Sequence, residues 1–97
     1  MSAYIIVEVK ITNVTEYEEY KKLTPASLLA FDGKFIVRGG SAETLEGDCN
    51  PGRIVVLEFP TVDHAKKWWN SAQYAEVKII RQRSANTQMI LVEGMTQ

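Results

Sequence analysis

"AYIIVEVKI", residues 3–11, alternates into two faces, and neither of them is uniformly polar. Ile5, Val7, Val9 and Ile11 fall on one side, with Tyr4, Ile6, Glu8 and Lys10 on the other. The β-branched content makes this a strand, and its second face is too apolar for a strand that meets only water. The same doubling recurs further along. Arg53 to Phe59 sets Val55, Leu57 and Phe59 against Ile54, Val56 and Glu58, and "NTQMILVEG" (86–94) sets Met89 and Leu91 against Gln88, Ile90 and Val92. A fourth strand starts at Lys34, and Gly39 and Gly40 are expected to form a bulge that lets the chain continue, re-aimed, as "SAETLEG". "GDCNPG" (47–52) then reverses its direction.

Helix signals separate these strands. Asn13 followed by Glu16 is a capping-box spacing, and Val14, Tyr17, Leu23, Leu28 and Phe31 form an approximate apolar stripe behind it. Pro25 should kink or break that helix, and Gly33 in "FDGKF" suits its C-cap. A second helix starts after Pro60, with Thr61 as N-cap and Asp63 in its first turn, and Ser71 recaps a continuation, "AQYAEVKIIRQ". The order βαββαβ defines a ferredoxin-like α+β unit: a four-stranded antiparallel sheet with both helices on one face, because the crossovers are right-handed. The uncovered face then carries Tyr4, Ile6, Ile36, Ile54, Val56, Ile90 and Val92. Burying those side chains is worth on the order of 10 kcal/mol, so a twofold homodimer packed sheet against sheet is expected.

The 97 residues make one domain, 1–97, and 45% hydrophobic with 24% charged residues describes a soluble globular chain. A net charge of -1 gives no electrostatic reason to expect nucleic acid or an anionic membrane as partner. Cys49 is the only cysteine, so an internal disulfide is impossible and a reducing compartment is expected. "MSAYIIVEVKI" has no basic region ahead of its apolar residues and meets Glu8 too early for a secretory or membrane-spanning segment, which places the chain in the cytoplasm.

No complete catalytic motif is visible, and neither a phosphate loop nor a dinucleotide fingerprint points to a cofactor. Arg38 is the sharpest candidate: it either pairs with Glu58 on the non-helix face or with the dimer partner, or captures a small carboxylate or phosphate. Glu8 and Glu58 could face the sheet-on-sheet interior, where desolvation would raise a carboxyl pKa toward that of a general base. Of the adjacent Trp68 and Trp69, one belongs to the core and the other borders a cavity, with Tyr17, Tyr20 and Tyr74 as neighbours. His64, in a first helical turn, has no partners at metal-ligand spacing, and Cys49 lies in an exposed turn beside Asp48, which disfavours its thiolate. Arg81 and Arg83 read as solvated or as contacts to a partner subunit.

"RGG" (38–40), "LEGD" (45–48), Pro51, Arg53, "VVLEFP" (55–60), "AKKWW" (65–69), Ser71, Tyr74, "RQRSA" (81–85) and "LVEG" (91–94) together resemble the domain-of-unknown-function 1330 family, within the dimeric α+β barrel group. The resemblance spans nearly the whole chain. It implies a ferredoxin-like protomer, a two-sheet barrel dimer and a cavity between sheet and helices; it brings no established reaction. Distant members of the same fold include cofactor-free monooxygenases, muconolactone-type isomerases and haem-handling proteins, and fold alone chooses none of them. One departure is Cys49, where the family carries a tryptophan after "LEGD". The functional expectation is a small organic acid bound in the cavity, with cofactor-free oxygenation or isomerisation as its activity. The competing expectation is a non-catalytic dimeric binding or accessory module.

Overall fold

The computed structural model describes residues 2–48 and 50–95. Strands β1 (Ala3–Ile11), β2 (Lys34–Arg38), β3 (Arg53–Phe59) and β4 (Ala85–Glu93) combine with helices α1 (Val14–Leu29), α2 (Val62–Trp69) and α3 (Ala72–Ser84). The sheet is antiparallel in the order β2-β3-β1-β4, the ferredoxin-like arrangement. Each of these helices starts on the residue the sequence offers. Asn13, Thr61 and Ser71 each accept, through the side chain, the amide three residues on, at 3.1 Å in every case.

Residues paired across antiparallel strands share a face, so the register assigns each side chain. Ile5, opposite Leu57, and Val7, opposite Val55, sit with Val9 and Phe59 under the helices and are buried. Ile6, opposite Val56 and Ile90, lies on the open face, where Ile6, Ile36, Val37, Ile90 and Val92 are all exposed. The doubled pattern of β1 is thus a real two-sided sheet.

Strand β2 departs from expectation in a way that matters for the site. Lys34 pairs with Glu58 and Phe35 with Leu57, but the next pairs are Val37 with Val56 and Arg38 with Val55, which leaves Ile36 as an extra residue. The bulge therefore falls at Ile36, upstream of the glycines, and shifts the parity of Val37 and Arg38. Arg38 turns to the helix-covered face. Glu58 stays on the open face and pairs with Lys34 at 3.1 Å, so the expected Arg38–Glu58 ion pair does not form. The strand also ends at Arg38, and residues 41–45 do not continue it. Cys49 lies outside the described residues, while Asp48 and Asn50 on either side of it are exposed.

Two further local expectations shift. After α1 the left-handed residue is Asp32 (φ 56°), while Gly33 is required for closeness: a Cβ there would stand 2.6 Å from the Phe59 ring. The buried face of α1 consists of Tyr17, Tyr20, Thr24, Ser27 and Leu28, whereas Val14 and Leu23 from the expected stripe are exposed. Four of those five buried residues carry hydroxyls. That polar stripe, packed toward α3 and the sheet, forms one wall of a cavity.

Candidate functional site

Between the sheet, α1 and α3 lies a cavity of about 20 Å³. Val7, Val9, Val55 and Leu57 form its apolar floor, α1 contributes Tyr17, Tyr20 and Thr24, α3 contributes Arg81, and Arg38, Arg53 and Met89 come from the strands. Arg81 sits on the inward stripe of α3 with Tyr74, Val77 and Ser84 and is only 5% exposed, against the expectation that it would be solvated. Its Nε donates to the Tyr74 hydroxyl at 3.2 Å, and that hydroxyl lies 2.9 Å from the hydroxyl of Tyr20. With one lone pair of Tyr74 occupied by Arg81, the Tyr74 proton can be given to Tyr20, leaving the Tyr20 proton for the cavity. Burial, reinforced by Tyr74, pushes the Tyr20 phenol well above its ordinary 10.0, so it stays a neutral donor at physiological pH.

Arg53 approaches from β3. Its guanidinium rests against the backbone of Gly39, where φ is 73° and a Cβ would collide with it, and its Nε is buried with no hydrogen-bond partner. Tyr17 lies beneath, 5.8 Å from ring centroid to guanidinium carbon, its own phenol pushed up by burial against the opposing pull of Arg53. Arg38 spans the opening between β2 and α1, stacked on Phe35 at 4.2 Å and donating from Nη2 to the carbonyl of Lys21 at 2.6 Å. That carbonyl is free for a specific reason. Its helical partner would be the amide of residue 25, and Pro25 has none. The proline stays inside α1, and a guanidinium from the sheet takes the vacant acceptor.

Three arginines therefore converge on one cavity. Among the described residues none of the three makes an ion pair: Glu16 is taken by Arg83, Glu18 by Lys21, Glu58 by Lys34 and Asp63 by Lys67. No aspartate, glutamate or histidine among the described residues lines the cavity. Its chemistry is to hold negative charge with pre-placed donors rather than to remove a proton.

Of the residues singled out from sequence, Arg38, Tyr17 and Tyr20 meet in this cavity. Glu8 and Glu58 are on the opposite, open face, paired across strands with Ile54 and Gln88 and with Tyr4 and Lys34. The Glu58 carboxyl is held below its ordinary value by hydrogen bonds from Lys34 and Tyr4, which is the reverse of a general base. Trp68 is core: fully buried, 4.0 Å from the Tyr74 ring, its Nε1 donating to Ser27 Oγ at 3.0 Å. Trp69 is half-buried and lines hollows outside the cavity. Sequence reasoning passes over Arg53 and assigns Arg81 outward, yet a signal exists. Tyr74, Val77, Arg81 and Ser84 follow helical spacing, which sets an arginine on a buried stripe.

His64 hydrogen-bonds Thr61 at 2.7 Å and stands 3.9 Å from Asp32, and no cluster of metal-ligating residues occurs among the described residues. No helix there is long and apolar enough to cross a membrane.

The chain belongs to the family described as Domain of unknown function (DUF1330), whose profile matches residues 2–95. No curated protein matches it in sequence. Among solved structures it is similar to the RPA0582 protein of unknown function from Rhodopseudomonas palustris, with a TM-score of 0.76 and 14% identity over 99% of this chain and 84% of that one. It is also similar to HapK from Hahella chejuensis (TM-score 0.67, 13% identity, 98% and 94% covered). A third likeness is to SnoaB, a cofactor-independent oxygenase from Streptomyces nogalater (TM-score 0.64, 10% identity, 99% and 95% covered). At these identities the likeness is one of fold, that of the ferredoxin-like dimeric α+β barrels.

The Tyr20 network makes a pH dependence. The folded chain keeps Tyr20 protonated where the unfolded chain ionises it, so the associated stability is intact below about pH 10 and is lost as pH rises from there toward the folded pKa. The urea midpoint of the wild type is expected to fall more steeply above that pH than the midpoint of Tyr20→Phe. Equal slopes would show that Tyr20 ionises freely.

Proposed function

We propose that this chain holds the charged end of a small organic anion, a carboxylate or an enolate, at the arginine and tyrosine cavity, and that it carries out cofactor-free oxygenation of such a substrate. The observation that carries this is three guanidiniums facing one cavity with no carboxylate among the described residues to neutralise them. A bound anion would supply the missing charge and occupy the unpartnered Arg53 Nε. For a substrate with an acidic methylene, the same donors would favour its carbanion or enolate, the form that reacts with O₂. The carbon loses two hydrogens and gains one oxygen atom, and the second oxygen leaves as water. SnoaB, a cofactor-independent oxygenase of similar fold, supports this choice, and isomerisation through the same enolate is the related outcome.

One observation favours a second reading, a non-catalytic binding module: no Asp, Glu or His among the described residues lines the cavity to take the substrate's proton. Oxygenation then requires a substrate acidic enough to arrive ionised. Both readings place the protein in the cytoplasm as a homodimer joined through the open sheet face, where Ile6, Ile36, Val37, Ile90 and Val92 would otherwise remain wet.

Two measurements check this. In a thermal-shift panel of small carboxylates and acidic phenols, anions are expected to raise the wild-type Tm by about 5 °C at saturation and their neutral amides are not. Arg81→Gln should abolish the rise; stabilisation that survives this change, or an inert wild type, would refute the anion site. Oxygen uptake with the stabilising compounds then separates oxygenase from binding module. In sedimentation velocity at micromolar concentration the wild type should run as a dimer and the Ile6→Lys, Ile90→Lys double variant as a folded monomer. A monomeric wild type would refute the sheet-to-sheet assembly.

A further inference from the structure

At about 20 Å³ the inner cavity has room for a water or for one end of a larger molecule, far less than a ligand pocket needs. Its walls continue outward on one side. Met89 lines the inner cavity and also two hollows along β4, of about 300 Å³ and about 410 Å³. Arg81 lines both the inner cavity and the larger hollow, and Trp69 is shared by the two outer ones. All three spaces thus border Met89, a long unbranched side chain able to change rotamer at little cost.

The chemistry of the surfaces is graded. At the Arg81 end the larger hollow is polar, with Asn86 and with Thr87, whose Oγ1 is buried and has no hydrogen-bond partner. The other hollow is mostly apolar, lined by Ile5, Ala65, Met89, Leu91 and Trp69, with Lys66 the one charged residue on its wall. Lys78 holds the Trp69 ring from outside, its Nζ 3.8 Å from the ring centroid and donating to the Trp69 carbonyl at 2.8 Å. No aspartate or glutamate among the described residues lines any of the three spaces, although acidic residues outnumber Lys and Arg, 12 to 11, in the whole chain. A cationic head site leading into an apolar trough is complementary to one kind of molecule.

We propose that the ligand is an amphipathic monoacid whose carboxylate sits on Arg81 at the cavity mouth and whose apolar tail lies along β4, past Met89, against Trp69 and Leu91. This deepens the anion site proposed above and rests on it. Met89 acts as the movable partition, and the trough selects for tail length while the arginines select for charge.

The test is calorimetric binding of acetate, butyrate, hexanoate and octanoate, with octyltrimethylammonium as a probe of equal tail and opposite charge. Affinity is expected to rise about fourfold per methylene along the series, the increment for burying one CH₂, and the cationic probe should not bind. Trp69→Ala should flatten the dependence on length. The wild-type series decides the matter even if that variant folds poorly. Acids that bind with no dependence on length would overturn the tail site and leave the anion site standing. Equal binding of the cationic probe, or an affinity for octanoate undiminished in Arg81→Gln, would overturn the assigned orientation. If no acid binds, the anion site itself fails and this inference fails with it.

Discussion

A guanidinium removed from water without a carboxylate to meet it is the constraint around which this structure is arranged. Arg81 is 5% exposed, and its guanidinium is steadied by the hydroxyl of Tyr74. Burying a charge so incompletely compensated costs several kcal/mol in a typical interior. Nothing in the packing of the fold demands it, since an apolar residue would fill the same place on the α3 stripe. The chain also has carboxylates to spare, yet they pair with surface cations: Glu16 with Arg83, Glu58 with Lys34, Asp63 with Lys67. Such a local conflict with an otherwise consistent fold is where function is expected.

The surroundings of Arg81 explain why α1 looks poorly amphipathic. Its inward face uses hydroxyls in place of aliphatic carbons, and these have defined partners: Tyr20 with Tyr74, Thr24 with the Tyr20 carbonyl, Ser27 with the Thr24 carbonyl and Trp68. Pro25 belongs to the same arrangement, because the helix bond it omits leaves the Lys21 carbonyl to Arg38. A helix defect, a strand bulge and an exposed arginine are thereby coupled at the side of the cavity opposite Met89. The cationic lining is held from α1, α3, β2 and β3 together.

Much of the fold is legible in the sequence because it rests on local rules. Alternation defines the strands, and Asn13, Thr61 and Ser71 mark the helix starts through one repeated side-chain-to-amide bond. The position of the bulge is not legible, and the cause is physical. Phe35, Ile36 and Val37 are all apolar, and both faces of this sheet accept apolar residues, so a one-residue slip leaves no trace in the pattern. That slip moves Arg38 to the cavity and separates it from Glu58. The site is half legible for a related reason: Tyr17 and Tyr20 are visible as aromatics on a helix, while Arg81 is misread when judged by its residue type and not by its place on the Tyr74, Val77, Ser84 stripe. Arg53, at the start of β3, shares the parity of Val55 and Leu57 and is assignable inward on that ground alone.

The central claim is that the buried charge of Arg81 serves a ligand at the expense of the empty fold, and the urea stability of unliganded Arg81→Met tests it most directly. Methionine keeps the aliphatic stem and removes the charge, so the variant should unfold at the same or a higher urea concentration than the wild type while losing every response to anions. A loss of about 3 kcal/mol or more, the size seen when one member of a buried pair is removed, would mean that Arg81 is a structural strut already satisfied in the empty protein.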